Sequence, residues 1–367
     1  MSSIYGENLK LSIFGQSHGK AIGMVLDGIP AGLPVDENKL ADFMARRMPG
    51  TGKYVTSRKE PDKAIFLSGI VDGYTCGAPI CAVIENKDPR PGDYASLSNT
   101  PRPGHADYTA QVKYGGFQDT AGGGHFSGRL TAPLCIAGGL CKQWLEEQGI
   151  HIGAHITEIG LAHAQSFDYL NPQLEQIGQM FPTLTAESAE EFQHVIEKAR
   201  SQGESVGGRV ECAVTGVPAG LGEPMFGGVE NRIAAIVYGI PGVKAVGFGW
   251  SESFAITCGS DSNDAFAMNE GSVTTLTNHC GGILGGITTG MPVIFDVTFK
   301  PTPSIAKPQQ TVDLLTGRNV TVKISGRHDP CIAVRAVPVV EAAAAIALYD
   351  MILGNTQTDR RKQNGYF

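Results

Sequence analysis

Four short blocks in this 367-residue chain bring together residue types that can move protons or grip anions. The first is Gly15-Gln16-Ser17-His18-Gly19, whose spacing fits G-x-S-x-G, the nucleophile elbow of α/β hydrolases. A strand precedes it, as an elbow requires. However, the segment after it alternates like a strand and contains Gly23 and Gly28, which makes it a poor helix. Only 16 residues precede Ser17, too few for the upstream strands of that fold, and no HGGG-type oxyanion segment comes before it. Gly15 and Gly19 also lie one residue too close for a P-loop. What remains is His18, a glycine-flanked imidazole free to act as an acid. Taken alone, a turn histidine with no role is the simpler reading.

The other three blocks have the same character. Arg102-Pro103-Gly104-His105-Ala106-Asp107 places a cation, a turn and a titratable imidazole at the start of an expected helix. A helix N-terminus favours bound anions, while Asp107 equally suits an ordinary helix entry that complements the dipole. Gly122-Gly123-Gly124-His125-Phe126-Ser127-Gly128-Arg129 leads into a long expected helix and is a candidate phosphate cradle, with a flexible linker as the plain alternative. Gly326-Arg327-His328-Asp329-Pro330-Cys331, with Arg335 nearby, combines cation, imidazole and carboxylate. Asp329 there reads as a general base held by Arg or His, or as half of a surface ion pair. A metal site is disfavoured because the histidines lack zincin-like spacing.

These blocks need elements to position them. Residues 9–14 read as a strand, and Ile22, Met24 and Leu26 alternate as a second. Asp36 caps a helix with Leu40, Phe43 and Met44 on one face, ending before Pro49-Gly50. Residues 64–71 and 80–85 form a strand pair around a glycine-rich turn. Residues 127–148 read as a long helix with Leu130, Leu134, Ala137, Cys141 and Trp144 inward, stopped by Gly149. Ser188 with Glu191 is a possible capping box for a helix ending near Gly203, and residues 341–353 form a final apolar helix. The chain also repeats itself. Gly28-Ile29-Pro30-Ala31-Gly32-Leu33 matches Gly216-Val217-Pro218-Ala219-Gly220-Leu221. Gly69, Gly73, Thr75, Gly77 and Lys87 match Gly282, Gly286, Thr288, Gly290 and Lys300 at the same spacings. The expectation is one domain over 1–367 with related strand–helix–hairpin halves, about 1–150 and 205–367, in an α+β layered fold with ligands between the halves.

Composition narrows the partners. With 42% hydrophobic and 18% charged residues the chain reads as globular, and no apolar run is long enough to span a bilayer. The N-terminus has neither a basic nor an apolar signal region. The eight cysteines include no C-x-x-C pair, which fits a reducing cytoplasm. The formal net charge of -7 argues against a nucleic-acid binder. Arg46, Arg47, Lys53, Arg58 and Lys59 nevertheless form a basic island, which in isolation reads as a solvated loop.

The blocks GQSHG, RPGHAD, GGGHFSGRLTA, GGILGGITTG and GRHDPCIAVRAVPVVEA occur in this order from residue 15 to 341, and with them the chain resembles the chorismate synthases. The resemblance implies an α+β fold with helices sandwiched between two antiparallel four-stranded sheets, assembled as a homotetramer. It implies conversion of 5-enolpyruvylshikimate 3-phosphate to chorismate and phosphate, the last common step of aromatic amino-acid biosynthesis. The cofactor it implies is FMN in its reduced form, FMNH2, which is thought to lend an electron transiently and take it back. NADP is associated with the family, but no nicotinamide fingerprint is visible, so an external flavin reductant is expected. By resemblance His18 protonates the departing phosphate, His105 supplies a proton to the reduced flavin, and Asp329 assists removal of the C6 proton with flavin N5. The flavin site implied is His125, Phe126, Ser127, Gly285, Lys300, Thr302, Ser304 and Arg327. The substrate site implied is Arg47, Arg102 and Arg129 with Arg327, and Lys53 standing where many relatives have arginine. Many relatives also carry Arg-Ser-Ser-Ala-Arg where this chain has His125 to Arg129, which leaves Ser127 and Arg129 in place and changes the side chains at 125 and 126. A carboxylate beside Arg327 suits a base rather than an acid.

Overall fold

The structure is a computed structural model that describes residues 3–48, 62–86, 99–324 and 328–355. Lys53, Arg58, Lys59 and Arg327 lie outside the described residues. In chain order the main elements of the first half are β1 (Ile4–Tyr5), β2 (Lys10–Gly15), β3 (Ala21–Asp27), α1 (Glu37–Arg47), β4 (Ile65–Ser68), β5 (Ile80–Glu85), α2 (Asp107–Tyr114) and α3 (Thr131–Glu146). They continue with β6 (His151–Ile159), β7 (Ala162–His163), α4 (Ala186–Ser201), β8 (Gly208–Thr215), α5 (Val229–Val237), β9 (Val243–Phe248), β10 (Val293–Phe299) and α6 (Ala333–Gly354).

The strands form two antiparallel five-stranded sheets, ordered β1-β2-β3-β5-β4 and β9-β10-β8-β6-β7. The expected count of four strands per sheet is corrected by the edge strands β1 and β7, each two residues long and too short to show an alternating pattern. The alternation of β3 does reach the core, with Ile22, Met24 and Leu26 fully buried. Helix α3 packs against the first sheet, α6 against the second, and the two helices pack on each other. Their close approach needs small residues: a side chain at Gly138 would overlap Ala342 of α6. One continuous apolar core runs from Leu11 and Ile80 through α3 and α6 to Val210 and Phe295.

Helix boundaries follow local chemistry. Asp36 caps α1 as expected, accepting from the backbone N–H groups of Asn38 at 2.9 Å and Lys39 at 3.1 Å. The cap of α4 is Thr185, which accepts from Ser188 N, so Ser188 is not the capping residue. Helix α6 begins eight residues before the expected residue 341, because Pro338 sits inside it, where sequence rules would place a break. The full helix of 22 residues is long and apolar enough to cross a bilayer, which corrects the expectation that no apolar run is; 89% of its most apolar window is buried inside the protein. The two halves also share a detail. Thr75 Oγ1 donates to Pro30 O and accepts from Leu33 N, while Thr288 Oγ1 donates to Pro218 O and accepts from Leu221 N.

Two buried carboxylates on α6 bind the layers together. Asp350 accepts from the backbone N–H groups of Glu7, Asn8 and Leu9, which fixes the approach to β2. Glu341 accepts from Arg46 of α1, Lys142 of α3 and the Ala154 N–H of β6. Burial works to raise the Glu341 pKa, but Lys142 and Arg46 outweigh it and bring it down to about 2. A carboxylate depressed in the folded state stabilises the fold above its unfolded pKa and loses that contribution as pH falls towards the folded value. Glu341→Gln is therefore expected to cost about 3–5 kcal/mol at pH 7, as for a broken buried ion pair. Urea melts at several pH values check this: the gap between wild type and variant should close between about pH 4.5 and pH 2. A pH-independent gap would contradict the ionic role.

Candidate active site

A cavity of about 850 Å³ opens between segments from the two ends of the chain. On one side are Arg47 at the end of α1, the loop before α2 with Arg102 and His105, and the approach to α3 with His125, Phe126, Ser127 and Arg129. On the other are Lys244 of β9, Lys300 to Ser304 after β10, and His328, Asp329 and Arg335 at the start of α6. Of the described residues lining it, six carry cationic side chains (Arg47, Arg102, Arg129, Lys244, Lys300 and Arg335) and one carries a carboxylate, Asp329.

Cations this close repel one another, and the structure offsets that with carboxylates placed behind them. Asp62 is fully buried and pairs with both Arg47 and Arg129. Arg47 also donates to Thr131 Oγ1 at 2.9 Å. Burial and the neighbouring Arg335 pull the Arg47 pKa down to about 10, which still leaves it cationic at neutral pH. Asp107 accepts from Arg102 Nε at 2.7 Å and Nη2 at 2.8 Å, and it lies 2.6 Å from His105 Nδ1. Burial raises the Asp107 pKa, but hydrogen bonds from Arg102 and His105 overcome it and hold the group far below the usual carboxylate range. Arg335 donates to Asp329 Oδ2 at 2.6 Å and to the Arg47 carbonyl at 3.0 Å. His328 is shifted below its ordinary value by burial and by Arg102, so it is neutral at pH 7.

The expected phosphate cradle turns out to seat histidines. Gly122, Gly123 and Gly124 have φ of 64°, 112° and 53°, a region that favours glycine. A side chain at Gly122 would collide with the His18 ring, and one at Gly123 would meet the His105 ring at 3.1 Å. His18 is therefore packed against Gly122, which lines the cavity, and is not itself among the lining residues. Ser17 is buried and donates to the Ala121 carbonyl at 3.3 Å; a turn and then β3 follow it, so the hydrolase elbow is ruled out by its context.

Most of the remaining sequence-derived residues meet here, some in supporting roles. His125 Nδ1 lies 2.8 Å from the Gly15 carbonyl and Nε2 lies 2.7 Å from Ser3 Oγ, so both ring nitrogens serve the protein. Ser127 Oγ accepts from Arg129 N at 3.2 Å. Lys300 donates to the Gly104 carbonyl. Thr302 Oγ1 donates to the Asp329 carbonyl at 2.9 Å, and Ser304 is buried beside Arg102. Gly285 is not brought to the cavity: it lies in an exposed turn between Ile283–Leu284 and Ile287–Thr288. Asp62 and Lys244 were missed from sequence, since neither belongs to a recognisable block. Asp107 and Arg335 were noticed, but the first only as a dipole partner and the second only as a neighbour.

Comparison with known proteins places the chain in a family. A family model described as chorismate synthase matches residues 9–353. The chain is 46% identical over 350 residues to the chorismate synthase of Pyrococcus abyssi, covering 95% of this chain and 97% of that protein. It is 44% identical over 358 residues to that of Korarchaeum cryptofilum, covering 95% and 97%, and 43% identical over 381 residues to that of Lancefieldella parvula, covering 100% and 99%. A crystal structure of chorismate synthase superimposes with a TM-score of 0.78 at 28% identity, covering 98% of both chains. The chain belongs to the chorismate synthase family, whose members are carbon–oxygen lyases. Gly122→Ala is expected to displace the His18 ring and, with His18 in the proton-donor role that the resemblance implies, to lower kcat by about 10²-fold or more. A thermal melt within a few degrees of wild type alongside normal turnover would show that His18 does not need its glycine seat.

Proposed function

We propose that this cavity binds 5-enolpyruvylshikimate 3-phosphate beside reduced FMN and is where the 3-phosphate is eliminated to give chorismate. The observation that carries the reading is the lining, with six cationic side chains against one carboxylate among the described residues. A substrate bearing one phosphate and two carboxylates supplies the anionic charge such a site lacks, and guanidinium groups bind those anions in forked pairs. Arg47 and Arg129, held by Asp62, and Arg102, held by Asp107, are the candidates for substrate.

The residues also fit an anionic, phosphorylated ring cofactor. Lys300 and Lys244 both line the cavity, and burial together with Lys244 lowers the Lys300 pKa, a charge crowding that a bound anion relieves. Phe126 offers a partly exposed apolar ring, and Ser127, Thr302 and Ser304 offer hydroxyls nearby. FMN, when bound in reduced form, supplies a transient electron with no net redox change. The protein's own share is protons and charge. His105, in the cavity wall, is the donor to the reduced flavin, and His18, packed against Gly122, is the donor to the departing phosphate. Asp329, fixed through Oδ2 by Arg335, accepts the C6 proton. Arg335 is a partner of Asp329 among the described residues, and Arg327, the partner expected from sequence, lies outside them.

The wider setting belongs to the same proposal. An external reductant supplies the reduced flavin, the chain works in the cytoplasm, and four copies assemble. Support for assembly comes from exposed apolar side chains on the Phe266–Asn269 and Ser272–Thr275 ribbon, where Met268 and Val273 lie directly opposite each other. Support for two related halves within one domain comes from the matched strand orders and the Thr75 and Thr288 hydrogen bonds. Anaerobic incubation with substrate and dithionite-reduced FMN should release phosphate and chorismate in equal amounts. Intact substrate would reduce the protein to a binder without catalysis. Asp329→Asn should bind FMN and substrate normally and lose most turnover, the pattern of a lost transition-state interaction. A raised KM with kcat spared would instead make Asp329 a structural partner of Arg335.

A further inference from the structure

His105 and Asp107 stand two residues apart, with Nδ1 of the imidazole 2.6 Å from Oδ1 of the carboxylate. Their side chains are 15% and 20% exposed. The same carboxylate takes three hydrogen bonds from Arg102, through Nε, Nη2 and the backbone N–H. Arg102 Nη2 also lies 3.1 Å from His105 Nδ1. Guanidinium nitrogens only donate, so this last contact can be a hydrogen bond only if Nδ1 is bare. A bare Nδ1 would turn its lone pair towards the carboxylate oxygen at 2.6 Å, which is repulsive. The arrangement is consistent only with Nδ1 protonated, and with Nδ1 and Nη2 donating side by side to the one oxygen.

We propose that Asp107 is the positioning residue for His105: it holds a proton on Nδ1, leaves Nε2 as the working nitrogen, and stabilises the imidazolium from which Nε2 delivers its proton. This rests on reading His105 as a proton donor. In the step, the Nε2–H bond breaks and a bond from that hydrogen to the acceptor forms. The electron pair stays on Nε2, and the neutral ring keeps its Nδ1 proton, still hydrogen-bonded to Asp107, until solvent returns the other. A carboxylate behind a catalytic imidazole acts in this way in hydrolytic triads, without itself becoming protonated. Arg102 secures the carboxylate on its far side, and Gly123 makes room for the ring edge that carries Nε2.

The alternative is that Asp107 only anchors Arg102 and the start of α2. Two readouts separate them. The first is the tautomer of the neutral His105 ring, read from carbon and nitrogen shifts in histidine-labelled protein. Wild type should show the Nδ1–H form. Asp107→Ala should switch to Nε2–H, because Arg102 Nη2 then donates to Nδ1. Asp107→Glu should retain the wild-type form and guards against a folding artefact. The second is a double-mutant cycle in steady-state turnover. Asp107→Ala and His105→Ala should each lower kcat by about 10²–10⁴-fold, and the double variant should be no slower than His105→Ala alone. Retention of Nδ1–H in Asp107→Ala, or a further loss when it is added to His105→Ala, would overturn the proposal. Full kcat in His105→Ala would instead sink the donor reading, and the tautomer result would then show separately whether Asp107 orients the ring.

Discussion

Holding several cations around one water-accessible space is the constraint on which this structure depends. At a few ångströms, like charges repel by several kcal/mol unless counter-charges lie close by. The chain keeps its carboxylates mostly out of the lining and behind the cations. Asp62 serves Arg47 and Arg129, Asp107 serves Arg102, and Arg335 is paired with Asp329. Each pairing both lowers the repulsion and fixes a guanidinium plane, so the cavity presents oriented donors without being neutralised at its surface. Arg47 shows the limit of this solution, since burial and Arg335 still pull it downward.

The fold exists in a form that supports this arrangement. Arg47 ends α1, Arg129 precedes α3 and Arg335 lies in the first turn of α6, and these three helices pack on one another. Glu341 ties the same three helices to the second sheet through Arg46, Lys142 and Ala154. The two ion-pair layers on α1 are neighbours in sequence: Arg46 serves the core and Arg47 the cavity. A shift of α1 would therefore disturb stability and ligand binding together. The segment after β10 plays a similar part on the opposite wall, where Lys300 and Thr302 join the loop before α2 to the turn that carries Asp329.

Much of this was legible in the sequence, and the failures have physical causes. The blocks around His105, Arg129 and Asp329 were recognisable because their residue types do chemistry, and all three reach one cavity. The alternation of β3 and the Asp36 cap were local signals that tertiary packing did not override. Edge strands of two residues carry no periodicity, so β1 and β7 could not be read from the sequence. The start of α6 was hidden because Pro338 is tolerated there within a fully packed helix. That the glycine run before α3 also seats two imidazoles was hidden, because sequence cannot show what presses on its backbone. Asp62 was invisible for the opposite reason: its importance lies wholly in two arginines far from it in the chain, Arg47 and Arg129.

The central claim is that one cationic cavity receives the whole anionic substrate. A crystal structure with 5-enolpyruvylshikimate 3-phosphate and oxidised FMN bound tests it directly. Substrate phosphate and carboxylate oxygens are expected within hydrogen-bonding distance of Arg47 and Arg129, with His105 and Asp329 on the walls around the ring. Substrate bound elsewhere, or bound in the cavity without contact to Arg47 and Arg129, would contradict it.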